Sequence, residues 1–109
     1  MSITINIYYK GKNGSARRFA EEMENSGTAE AIRAEEGNIR YEYFYPRNDC
    51  ETVLLIDAWE DQAALDAHHA SPMMQTIVAL REKYDLHMTV ERYASSEGEQ
   101  PDEERFIRE

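Results

Sequence analysis

Residues 3 to 9, ITINIYY, set Ile3, Ile5 and Ile7 against Thr4, Asn6 and Tyr8, the period of two that predicts a first strand. The turn KGKNGS follows, and Ser15 is positioned as N-cap of a helix whose Ala16, Phe19, Ala20 and Met23 share one face. Gly27 interrupts that helix. A further helical stretch, TAEAIRAEEG, begins near Thr28, with Gly37 as its expected left-handed C-cap. NIRYEYFYP then alternates as a second strand, Ile39, Tyr41, Tyr43 and Tyr45 on one face and Arg40, Glu42 and Phe44 on the other, until Pro46 ends the ladder. TVLLIDAW is apolar at nearly every position, as a central third strand covered on both faces would be. Asp61 caps QAALDAHHA, and Ser71 before Pro72 predicts an N-cap and a restart of the helix after a kink. Ile77, Leu80 and Tyr84 then share a face, and LHMTVERY alternates as a fourth strand.

The order βαββαβ predicts an α+β, ferredoxin-like fold: a four-stranded antiparallel sheet with helices on one face. The other face is left open, apolar on strand three and, with strand two's tyrosines, poorly suited to water. We therefore expect a homodimer packed sheet to sheet. A chain of 109 residues with 41% hydrophobic content fits one domain, here residues 1–94, and a domain of this size gains from such a partner. Residues 95–109 read as an acidic tail, solvated or docked on the partner through Phe106 and Ile107.

The formal charge of −10, from 22 acidic against 12 basic residues, disfavours nucleic acid and anionic lipid. No apolar run is long enough to span a bilayer, no leader pattern opens the chain, and Cys50 has no partner for a disulfide. A cytoplasmic protein without membrane contact is the resulting expectation. Metal chemistry is not expected: His68, His69 and His87 lack ligand spacing, and no Cys-x2-Cys, glycine-rich phosphate loop or Gly-x-Ser-x-Gly elbow occurs.

The segments EEGNIRYE (35–42), DAW (57–59) and ALDAHHASP (64–72) resemble the antibiotic biosynthesis monooxygenase domain, including its quinol-monooxygenase-like members, over about residues 3–93. The resemblance implies a dimeric α/β barrel of ferredoxin-like protomers, each with a pocket between sheet and helices. It also implies oxygenases that use neither metal nor flavin, with isomerases and haem-degrading enzymes among the relatives. In this sequence Trp59 matches the aromatic that ends strand three, Asp57 the acidic position before it, Tyr41 a strand-two aromatic, and His68 the helix histidine. A second histidine frequent in the family is replaced by Met73, and the axial-histidine slot of haem-degrading relatives holds Val78.

These residues give the expected site. His68 is the general base, since an imidazole titrates near neutrality and accepts a phenolic proton. Asp57 assists it, expected to pair with an arginine or with His68; if left unpaired and buried, its pKa would rise. Asn6 is expected to orient an oxygen, and Tyr41, Trp59 and Met73 to line the substrate pocket. His69, about 100° further around the helix, faces solvent. The expected activity is a cofactor-independent oxygenation of a small aromatic quinol or phenol, with O2 as co-substrate. An isomerase of a small hydroxy-carbonyl metabolite and a non-catalytic ligand-binding dimer are the alternatives.

Overall fold

A computed structural model describes residues 1–95 and Arg108. Eight elements follow in order: β1 (Ile3–Lys10), α1 (Ser15–Asn25), α2 (Thr28–Arg33), β2 (Asn38–Phe44), β3 (Thr52–Trp59), α3 (Gln62–His69), α4 (Met73–Lys83) and β4 (His87–Ala94). The strands form one antiparallel sheet in the order β2-β3-β1-β4, with β1 and β3 central, as the βαββαβ pattern requires. The expected tail, with Phe106 and Ile107, lies outside the described residues apart from Ser95 and Arg108. Among the described residues, no helix is long and apolar enough to cross a membrane.

Alternation sorts the sheet into two faces. Ile3, Ile7 and Tyr9 of β1 and Val53, Leu55 and Trp59 of β3 are buried with Phe19 and Met23 of α1, Ile32 of α2, Leu65 of α3 and Ile77 of α4. Burying a side chain of this size contributes about 1.5–3 kcal/mol. These buried residues fix where each helix lies. The tyrosines of β2 belong with them: Tyr41 is buried and Tyr43 packs edge-on against Phe19 at 6.1 Å. They are not part of the open face, as expected above. That face carries instead Tyr8, Leu54, Ile56 and Phe44, all half-buried.

Several local expectations change. Ser15 is the first residue of α1, not its cap. Its hydroxyl accepts from Lys12 N–H at 3.0 Å, while the Glu51 carboxylate accepts the N–H groups of Asn13 (2.6 Å) and Gly14 (2.9 Å) from the neighbouring hairpin. Ser71 does not cap α4 either; Pro72 holds that position in a helical conformation, and the Ser71 carbonyl accepts from Met74 N–H at 3.1 Å. Asp61 does cap α3, its side chain accepting from Ala64 N–H at 2.8 Å.

α2 ends at Arg33, so Gly37 is not its cap. Gly37 (φ 84°) turns the chain into β2, and a Cβ there would lie 2.5 Å from Ala64 Cβ. Its carbonyl accepts from Glu60 N–H at 2.8 Å, clamping β2 to the start of α3. The register of β2 on β3 shifts between Asn38 and Arg40, and this bulge leaves Ile39 exposed rather than in line with Tyr41.

Candidate functional site

Antiparallel register places Tyr41 of β2, Asp57 of β3, Ile5 of β1 and Arg92 of β4 side by side on one rung of the sheet. The next rung on the same face carries Leu55, Ile7 and Val90. The helices stop short of the β4 edge, whose residues are all exposed, so α3 and α4 roof a cleft above these rungs. The cleft has a volume of about 350 Å³, and His68, Met74, Ile77 and Arg81 reach it from the helices. A cavity this size suits a small organic ligand.

His68 and Asp57 enter from opposite sides and are joined through Trp59. The His68 ring stacks on Trp59 with centroids 4.8 Å apart and 24° between planes. Trp59 Nε1–H donates to Asp57 Oδ1 at 2.7 Å. Trp59 is fully buried and forms the wall behind the imidazole, holding two groups of the cavity without lining it. His68 Nδ1 lies 2.8 Å from Glu35 Oε2. A carboxylate only accepts, so Nδ1 carries the proton and Nε2 the lone pair. Burial holds the His68 pKa below its usual value against the opposing pull of Glu35, and the ring is neutral near pH 7.

Asp57 does not pair with His68 or with an arginine. Its pKa is pushed up from 3.8 to about 7, chiefly by burial; the Trp59 hydrogen bond and the charge of Arg81 pull it down, and that of Glu35 pushes it up. The carboxyl therefore exchanges its proton near neutrality. Tyr41, hydrogen-bonded to the Tyr43 hydroxyl at 3.1 Å, is raised well above the ordinary phenol range by burial and stays protonated.

The remaining expected residues are placed differently. Asn6 faces away from the cleft, because Ile5 and Ile7 face into it and a strand alternates; its Oδ1 is buried on the open side without a partner among the described residues. Met73 packs against the core while its neighbour Met74 lines the cleft. His69 is exposed, as expected, and stands at the cleft rim 5.7 Å from the His68 ring. Val78 is exposed on α4. Among the described residues no three His, Cys, Asp or Glu side chains converge as a metal site would need.

Four contributors escaped the sequence reading: Glu35, Arg81, Arg92 and Tyr9. Arg81 donates from Nε (3.2 Å) and Nη2 (2.8 Å) to the Tyr9 hydroxyl, and Arg92 donates from Nη2 to the Gln62 side-chain oxygen. Arg81 lies one turn beyond Ile77, and Arg92 alternates in phase with Met88 and Val90, so both had a periodic signal.

The family model described as "Antibiotic biosynthesis monooxygenase" matches residues 2–80. The Bacillus subtilis (strain 168) protein YcnE, which bears the provisional name of a monooxygenase, is 30% identical over 77 residues, covering 71% of this chain and 79% of its own length. A Deinococcus radiodurans protein, provisionally named an antibiotic biosynthesis monooxygenase, superposes with a TM-score of 0.76 at 17% identity, covering 92% of this chain and 97% of its own. SnoaB, a cofactor-independent oxygenase from Streptomyces nogalater, superposes with a TM-score of 0.72 at 12% identity, covering 89% and 95%. At these identities the two superpositions speak to the fold alone.

Proposed function

This chain belongs to the antibiotic biosynthesis monooxygenase family, and from that premise we propose that it is a cofactor-independent monooxygenase of a small aromatic quinol or related phenol, with O2 as co-substrate. One observation carries the reading. A neutral imidazole, its Nδ1–H held by Glu35, and a carboxyl that exchanges its proton near pH 7 face the same largely apolar cavity.

His68 Nε2 takes the phenolic proton, and the Glu35 carboxylate stabilises the imidazolium that forms. The phenolate is electron-rich enough to give electrons to O2 directly. At a quinol ring carbon bearing one hydrogen, a carbon–oxygen bond forms while that carbon–hydrogen bond and the two phenolic oxygen–hydrogen bonds break. One atom of O2 stays on the product, a hydroxyquinone, and the other leaves as water, the substrate supplying all four electrons. Asp57 returns a proton to the departing oxygen. The apolar walls, Ile5, Ile7, Leu55, Leu65 and Ile77, keep bulk water away from the anion, and Tyr41 and Trp59 fix the geometry.

The working unit is a homodimer formed through the open sheet face, where Tyr8, Leu54, Ile56 and Phe44 remain half-buried in one chain. The same acid and base on one cavity would also serve an isomerase of a small hydroxy-carbonyl compound. Oxygen-electrode rates of the chelator-treated protein with hydroquinones, naphthoquinols and anthrones separate the readings. Uptake above the spontaneous rate, reduced at least about 100-fold in His68→Ala while the dimer persists in sedimentation, is the expected result. Conversion that proceeds equally under argon would transfer the reading to the isomerase, and equal rates in the variant would remove His68 from the chemistry.

A further inference from the structure

The cavity holds two guanidinium groups that the chemistry above does not use. Arg81 enters from the last turn of α4, and Arg92 from β4, on the rung of Asp57. Neither meets a carboxylate within ion-pair distance among the described residues, although the chain carries 22 acidic residues against 12 basic ones. Lys10, Lys12, Arg17, Arg18 and Arg47 also meet no carboxylate among the described residues, but they lie outside the cavity, while Arg33 takes Glu24 at 2.5 Å, Arg40 takes Glu42 at 3.1 Å and Lys83 takes Glu22 at 2.8 Å. In the cavity both guanidiniums are held by neutral oxygens instead: Arg81 by the Tyr9 hydroxyl, Arg92 by the Gln62 amide.

Those bonds orient the two groups without discharging them. The Tyr9 hydroxyl takes Nε and Nη2 of Arg81, leaving Nη1 without a partner among the described residues; Gln62 takes only Nη2 of Arg92. Gln62 is itself anchored, donating to Asp66 at 2.9 Å. A planar fork with spare donors, beside apolar walls, is the arrangement that binds a carboxylate more strongly than a neutral oxygen. Repulsion from the acidic surface is screened over about 8 Å at physiological salt, so the local field of the cleft decides. Adjacent strands lie about 4.8 Å apart, so Arg92 and Asp57 start about 10 Å from each other across the floor. A ring held between them can present one edge to each.

We propose that the site takes an anionic aromatic: a phenol or quinol carrying a carboxylate, which Arg81 and Arg92 bind while the ring oxygen faces His68. This rests on the oxygenase reading for the orientation of the ring, but the charge preference can be tested without turnover. Calorimetric titration under argon would compare 6-hydroxy-2-naphthoate, whose hydroxyl and carboxylate lie on opposite edges of the ring, with its methyl ester, using the full chain, Arg92→Gln, Arg81→Gln and the control Arg47→Gln on the exposed β2–β3 loop. The acid should bind at least about tenfold more tightly than the ester. That preference should fall severalfold in Arg92→Gln and stay unchanged in Arg47→Gln. Arg92 is exposed, so its variant stays informative even if loss of the Arg81–Tyr9 contact perturbs the core.

Equal affinities for acid and ester, no binding of either, or a preference untouched in both arginine variants would overturn the proposal. Equal weakening of acid and ester would overturn it too, by assigning the arginines to the phenolic oxygen. A charge preference without oxygen uptake would leave it standing while the oxygenase reading falls. Oxygen uptake with no preference for acids would do the reverse.

Discussion

Replacing Asp57 by asparagine should make the protein more stable at alkaline pH, the opposite of the usual effect of removing a buried hydrogen-bonding group. Asp57 is 5% exposed and its pKa rises from 3.8 to about 7. Between those values the native state keeps a proton that the unfolded chain has released. Stability therefore falls as pH rises from about 4 to about 7 and stays at the lower level above. The full lift corresponds to about 4 kcal/mol. The amide has no proton to lose, and its oxygen can still accept from Trp59 Nε1–H, the bond that spans 2.7 Å in the native protein. Relative to the native protein, Asp57→Asn should thus gain about 3 kcal/mol between pH 5 and pH 8.5. For a chain of this length that is of order 10 °C in Tm. Urea unfolding at the two pH values measures the difference directly. A stability gap that is constant across the range would mean that the carboxylate is ionised throughout, paired with Arg81, and would remove the proton exchange assigned to it.

Glu35→Gln tests the orientation of His68. The charge and hydrogen bond of Glu35 both raise the His68 pKa, so the acidic limb of kcat/KM should move to lower pH in the variant, while the amide oxygen still holds the ring; an unmoved limb would detach Glu35 from the base. Gly37→Ala places a methyl group 2.5 Å from Ala64 Cβ at a φ of 84°, so it should cost about 2–3 kcal/mol in urea unfolding and lower turnover by displacing α3. Native stability in that variant would contradict the clamp between β2 and α3.

What the sequence made legible follows from the range of each interaction. Strict alternation in ITINIYY and the i, i+3, i+4 stripe of α1 depend only on neighbours, and both survive intact in the fold. The family resemblance located His68, Trp59 and Asp57, which the structure brings into one connected group. The Glu35–His68 bond spans 33 positions and exists only because the sheet sets the chain before β2 beside α3. The capping carboxylate of Glu51 lies 37 and 38 positions from the N–H groups it accepts, and a lone Ser15 at a turn gave no hint of it. The bulge at Ile39 is a property of pairing with β3, invisible in a strand read alone. Asn6 differs: its phase against Ile5 and Ile7 sets it on the far face, and the cleft opens on the face of Ile5 and Ile7. The pairing of Asp57 went unread because its partner, Trp59, stood two residues away in the role of a core anchor.

The most direct test of the account is an 18O2 experiment on the chelator-treated protein with a quinol or anthrone it consumes, analysed by mass spectrometry. One labelled oxygen is expected in the product and one in water, at a rate lost in His68→Ala and without any added reductant. Product that carries no label, or that forms equally fast without O2, would contradict it.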